Sequence, residues 1–286
     1  MFGSIPLYFY IEILSNTIAN MKKIYLILSI LIITNSACVT NAITGRSQLS
    51  LVSDTELQTM SFTQYKQFLA TNKVISAGNS NADMVKRVGN RVAAAVKQYY
   101  TKKGLPNELD NYNWEFNLVE SKEVNAWCMP GGKVVVYSGI LPVTQDETGL
   151  AIVLGHEITH AVVGHSKERM SQEMAAQGIG ALGGAALGAD PKTVNIFNQV
   201  YGIGAEYGAL LPNSRKMELE ADHFGLIFAA AAGYDPRQAV DFWTRMSNLG
   251  NGQKPPVFMS SHPSDEQRIQ KIKELIPEAM RYYHTK

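Results

Sequence analysis

His156-Glu157-Ile158-Thr159-His160 is the stretch that organises the reading of this 286-residue chain. On an α-helix of 3.6 residues per turn, positions four apart lie only about 40° apart around the axis. Both imidazoles can therefore reach one metal ion, and Glu157 sits beside them to take a proton from a water. The chain has only six histidines, so a chance match to the pattern is rare. Thr144 and Glu147 form a capping box that places the motif on a long apolar helix from about 145 to 165. Two histidines, one carboxylate and an open fourth position are the donor set of catalytic zinc.

The third ligand must come from outside the motif. His165 follows five residues later, without the Gly-then-His spacing of the metzincin pattern, and reads as structural. Glu218-Leu219-Glu220-Ala221-Asp222 offers a better source. Glu218 and Asp222 share one helix face and Glu220 points elsewhere. Glu218 could bind the metal while Asp222 hydrogen-bonds a ligand histidine. The same acidic run also suits a solvated helix start, favoured by the helix dipole.

Working outward, Ser53 and Glu56 form a capping box for a helix over about 54–70. Apolar residues at helical spacing predict another helix over 82–103, ended by Gly104 and Pro106. Trp114, Phe116 and Leu118 alternate with polar residues, and Pro130-Gly131-Gly132 marks a turn between extended pieces. These signals predict a small antiparallel sheet over about 113–138, beside the His-Glu-x-x-His helix. Residues 171–211 hold 8 of the 23 glycines and read either as a mobile lid or lipid-facing hairpin or as a closely packed helix pair. Further helices are predicted from Arg215 to Gly233, after Asp235-Pro236, and from Pro263. The fold class is α+β, mostly helical, with residues 53–286 as a single domain.

Composition is that of an ordinary globular protein, 45% hydrophobic and 18% charged, with a net charge of +1. Such a balance provides no basic field for nucleic acid. Cys38 and Cys128 are the only cysteines, which excludes a disulfide-stapled scaffold. Residues 1–37 read as a leader: 1–20 lie upstream of a start at Met21, and 21–37 form a signal peptide. Ser36-Ala37-Cys38 resembles a lipobox, with Asn35 where that pattern prefers Leu. It makes Cys38 the lipidation site and 38–52 an anchor and linker. Cleavage after Ala37 or Ala42 is the alternative, giving a soluble secreted form.

Taken together, several segments resemble one zinc peptidase family, that of the CAAX prenyl proteases and HtpX. They are the His-Glu-x-x-His motif, Ser214-Arg215 through Glu218-Leu219-Glu220-Ala221-Asp222, Asn125-Ala126 through Pro130-Gly131-Gly132, and Ser261-His262-Pro263-Ser264 with Arg268. Thr44-Gly45-Arg46-Ser47-Gln48-Leu49 and Val85 to Ala94 add to the likeness. The resemblance implies a gluzincin fold, one Zn2+ per chain, Glu157 as general base, and His156, His160 and Glu218 as ligands. It implies a substrate strand along the edge near Asn125 and Ala126. His262 would lie near the zinc, stabilising an oxyanion or latching the open position, or else would only cap the last helix. The membrane spans of the prenyl proteases are missing, so the closer likeness is to compact periplasmic lipoprotein members. The expected function is a zinc metalloendopeptidase of the bacterial cell envelope, a periplasm-facing lipoprotein of the outer membrane. It would cleave unfolded or misassembled envelope proteins in quality control. The alternative is a membrane-anchored chaperone or binding module on a latched, poorly active peptidase fold.

Overall fold

The computed structural model describes residues 38–178, 190–201, 214–249, 256–262 and 266–284, together with Thr17 and Met21. All but two residues of the 1–37 leader lie outside the described residues, as do Pro263, 179–189 and 202–213.

The chain begins with an antiparallel pair, β1 (Cys38–Thr40) and β2 (Ser47–Leu49). α1 (Asp54–Thr71) opens on the Ser53–Glu56 capping box, with both reciprocal hydrogen bonds formed. α2 (Ser80–Lys102) buries Val85, Val88, Val92, Val96 and Tyr99 along one stripe. The sheet follows: β3 (Glu115–Val119), β4 (Ala126–Met129) and β5 (Lys133–Tyr137), in the order β3-β5-β4. Gly131 and Gly132 have φ values of +83° and +84°, the left-handed turn that returns β4 into β5.

This sheet is mixed rather than all antiparallel. β4 runs antiparallel to β5, but β3 runs parallel to it, with Phe116 opposite Val134 and Leu118 opposite Val136. Period-two alternation reports which side chains share a face and carries no strand direction. Both faces are covered. Phe116, Leu118, Cys128, Val134 and Val136 pack into one core cluster with α2 and the motif helix. Trp127, Met129, Val135 and Tyr137 pack into a second cluster with α1.

After a short α3 (Leu141–Thr144), Gln145 takes φ +68° and breaks the helix. α4 (Glu147–Val162) then starts on Asp146, whose side chain accepts from the Gly149 N–H at 2.8 Å. The cap is therefore Asp146, not the expected Thr144, whose hydroxyl bonds back to the Leu141 carbonyl instead. α5 (His165–Ala176) and α6 (Pro191–Tyr201) occupy the described parts of the Gly-rich region. They favour packed helices there, and the remainder falls outside the described residues. α7 (Arg215–Ala231) is capped by Ser214, α8 (Ala239–Asn248) follows a turn capped by Asp235, and α9 (Val257–Ser261) and α10 (Glu266–Ala279) end the fold. No helix among the described residues is long and apolar enough to cross a membrane.

One contact sets the spacing of the site. α4 and α7 cross at Gly155 and Gly225. A Cβ on Gly155 would fall 2.5 Å from the Gly225 carbonyl oxygen, and one on Gly225 would fall 2.8 Å from the His156 nitrogen. Two hydrogens at this crossing let the backbones touch, and so bring a side chain of α7 against the histidines of α4.

Candidate metal centre

His156 and His160 lie one turn apart on α4, both buried, with their Nε2 atoms 3.1 Å from each other. From α7, Glu218 brings its carboxylate to the same point. Oε2 is 3.4 Å from His156 Nε2 and Oε1 is 3.4 Å from His160 Nε2. From the end of α9, His262 Nδ1 lies 3.0 Å from Glu218 Oε1 and 3.2 Å from His156 Nε2. Ligand-type atoms of these four residues all lie within 4.8 Å of one another.

The donor set fits zinc. Bonds of ~2.0–2.1 Å at tetrahedral angles set ligand atoms ~3.3 Å apart, which is the spacing of His156, His160 and Glu218. Charge agrees as well. Glu157, Glu218 and Asp222 are three buried carboxylates against two buried guanidiniums, Arg268 and Arg169. The excess is negative, so a cation is favoured there. Burial opposes charging His156, yet the Asp222 and Glu218 carboxylates outweigh it and lift its pKa to about 9. Burial dominates at His160 and holds it well below the usual histidine range. Burial likewise resists ionising Glu218, but His262 and Arg268 prevail and keep it ionised well below the usual range.

Each α4 histidine is held from behind. His156 Nδ1 lies 3.0 Å from Asp222 Oδ1. Arg268 grips Asp222 with two hydrogen bonds of 2.7 and 2.8 Å and stacks its guanidinium 3.7 Å above the Trp243 ring centre. His160 Nδ1 lies 2.8 Å from His165 Nδ1, whose Nε2 lies 2.9 Å from Glu220 Oε2. Glu220 is thus turned away from the central cluster, as its place on the helix predicts, but it is paired rather than solvated. Arg46 completes that row by bonding Glu220 and Glu168, each at 2.7 Å. His223, one residue beyond Asp222, is half-buried and bonded to Glu278 rather than free in solvent.

Glu157 faces the cleft with Asn125, Ala126, His160, Tyr201 and His262 around it. Its Oε1 is buried without a hydrogen-bond partner, 3.4 Å from His262 Nε2. Burial raises its carboxyl pKa, the direction a general base near neutral pH requires. β4 is an edge strand of the sheet, with no strand paired beyond it among the described residues. The Tyr137 N–H donates to the Asn125 carbonyl on the β5 side. Alternation then turns the backbone of Ala126 away from β5, where its N–H donates to the Asn125 side-chain oxygen at 2.9 Å. Cys128 is buried and unpaired, and Cys38 is exposed at the start of β1.

The geometry thus gathers His156, Glu157, His160, Glu218, Asp222 and His262 at one point, with Asn125 and Ala126 along its rim. Cys38 lies apart. The sequence reading gave no part to Glu168 or Trp243, which no local pattern marks, and it placed Arg46 only in a segment that adds to the family likeness.

The Peptidase family M48 model matches residues 79–276, which contain every one of these residues except Cys38 and Arg46. This chain belongs to Peptidase family M48. The family uses zinc, in agreement with the donor set. The chain is similar to the mitochondrial metalloendopeptidase OMA1 of Schizosaccharomyces pombe, 40% identical over 173 residues, or 60% of this chain and 49% of that protein. The human metalloendopeptidase OMA1 is 30% identical over 247 residues, 84% of this chain and 46% of the relative. The metalloprotease YcaL of Escherichia coli is 29% identical over 206 residues, 71% of this chain and 75% of that protein. The chain spans about half the length of the OMA1 relatives it matches. Those relatives are mitochondrial by name, which overturns the placement in a bacterial cell envelope. That placement rested on a short cationic and apolar leader with three small residues after it, a pattern too brief to say which membrane system reads it.

Proposed function

We infer that the protein is a zinc metalloendopeptidase with His156, His160 and Glu218 as the ligands and Glu157 as the general base. The observation that carries this is the convergence of two neutral-capable nitrogens and a carboxylate at tetrahedral spacing, beside the buried Glu157 carboxylate, whose Oε1 makes no hydrogen bond. Bound there, zinc supplies polarisation of the scissile carbonyl and acidification of the attacking water. Glu157 accepts the proton of that water and returns it to the leaving amine. Asp222 holds His156 in the tautomer that leaves Nε2 bare. The edge at Asn125 and Ala126 adds an extended substrate as a further strand, through main-chain bonds that read shape more than sequence. Unfolded or misassembled chains suit that mode of binding, which supports a role in protein quality control.

A second reading follows from His262. Its Nδ1 stands within 3.2 Å of His156 Nε2 and 3.0 Å of Glu218, close enough to complete a closed four-ligand centre on a poorly active binding module. Digestion of an unfolded protein by zinc-loaded wild type, Glu157→Gln and His262→Ala separates the two. Cleavage by the wild type and its loss in Glu157→Gln support the peptidase. Cleavage that appears only in His262→Ala supports the latched module. Cleavage by Glu157→Gln at the wild-type rate rules out the general-base role.

A further inference from the structure

Arg46 lies outside the segment that the family model matches, yet it ends a row of side chains that begins at a ligand histidine. With His165 neutral, the row has one consistent arrangement of protons. Glu220 is ionised and accepts only, so the His165 Nε2–H donates to it across 2.9 Å. A neutral His165 then offers a bare Nδ1, and the His160 Nδ1–H donates to it across 2.8 Å. That leaves the His160 Nε2 lone pair facing His156 Nε2 and Glu218, the tautomer a metal ligand needs. Glu220 can play this part only while its charge is held in place. Arg46 does that, with Nε on Glu220 at 2.7 Å and Nη1 and Nη2 on Glu168 at 2.7 and 2.6 Å. Its planar fork ties α5 to α7 behind the ligand cluster.

The segment that carries Arg46 is fastened at several points. Asn41 Nδ2 and Gln48 Nε2 both donate to the Val163 carbonyl, at 3.0 and 2.9 Å, just past the end of α4. The Leu51 N–H donates to Ser171 Oγ on α5 at 2.9 Å. Residues 38–52 are therefore more than the linker that the sequence suggests. They end the helix that bears both histidines and supply the cation behind one of them.

We propose that the β1–β2 segment is an integral clamp of the metal centre, with Arg46, Glu220 and His165 as positioning residues that set the tautomer and direction of His160. The proposal rests on His160 being a zinc ligand, as inferred above. It means that loss or displacement of this amino-terminal segment weakens the metal site while the matched domain stays otherwise intact.

The test uses the full chain. Zinc dissociation constants are measured by chelator competition, and the visible spectrum of the cobalt-substituted protein reports the ligand geometry directly. His165→Phe keeps an aromatic ring, though a larger one, and removes the acceptor, so zinc affinity should fall about 10–100-fold with a shifted cobalt spectrum. Arg46→Ala should lower affinity about tenfold in the same direction, and Arg46→Lys, which keeps charge but loses the fork, should recover part of it. Arg87→Ala, which removes an exposed ion pair with Glu147 far from the site, should leave both readouts unchanged. Melting of the metal-free proteins separates misfolding from positioning. If Arg46→Ala fails to fold, His165→Phe and Arg46→Lys decide the matter. Wild-type zinc affinity and cobalt spectrum in His165→Phe and in the folded Arg46 variants would overturn the clamp. His160→Ala is measured alongside. If it too binds zinc as the wild type does, the ligand assignment itself fails; if it alone loses zinc, only the clamp fails.

Discussion

The two histidines of α4 sit one turn apart and face the same point, but they are held in different ways. His156 is backed directly by a carboxylate, Asp222, and then by Arg268. His160 is backed by another imidazole, then by the carboxylate of Glu220, and then by Arg46. Both rows end in an arginine that neutralises the carboxylate, so the physical task is the same. They differ in where the residues come from. Asp222 is four residues after Glu218 on α7, and Arg268 lies within the matched family segment. The His160 row reaches back to Arg46, in the connection just before β2 and more than a hundred residues earlier in the chain. A ligand can thus be fixed from within its own helix pair or from a distant segment, and only the first kind is visible as a local pattern.

The strongest way to break the comparison lies where the rows meet. Glu157 belongs to neither, so Glu157→Gln should lower peptidase turnover by about 10²–10⁴-fold with zinc content unchanged, as read by steady-state cleavage and metal analysis. Loss of zinc in that variant would make Glu157 part of the holding machinery instead. Next in size, Asp222→Ala leaves Arg268 buried without its main partner. A cost of about 3–5 kcal/mol is expected in denaturant unfolding, along with weaker zinc binding. His165→Phe should cost less stability than Asp222→Ala, because it strands no buried charge; equal losses would erase the distinction between the rows. Gly225→Ala pushes a methyl into the α4 backbone and should destabilise by about 1–3 kcal/mol, with both rows disturbed together. Smallest is Arg87→Ala, whose ion pair is half-exposed and worth about 0–1 kcal/mol in a thermal melt.

Much of this was legible in the sequence, for reasons that are local. The motif spacing placed both histidines on one helical face, and Glu218 and Asp222 share a face by the same rule. The Ser53–Glu56 box gave the start of α1 to the residue. The family likeness was legible from motifs alone, while the placement in a bacterial envelope was not sound. Other features depend on contacts between distant segments. Strand direction in β3 has no signature in alternation, so a parallel neighbour read as antiparallel. Thr144 matches a capping box by type, but the left-handed Gln145 ends one helix before the next begins, and Asp146 takes the cap. Arg46, Glu168 and Trp243 carry no periodic mark, and their roles arise only when β2, α5, α7 and α8 close around α4.

Zinc stoichiometry and affinity, measured in parallel on the wild type, Glu157→Gln and Glu218→Ala, test the central claim most directly. The account predicts one tightly bound zinc per chain in the wild type and in Glu157→Gln, and a loss of tight binding in Glu218→Ala. Equal zinc affinity in Glu218→Ala and the wild type would contradict it, and would place the third ligand elsewhere.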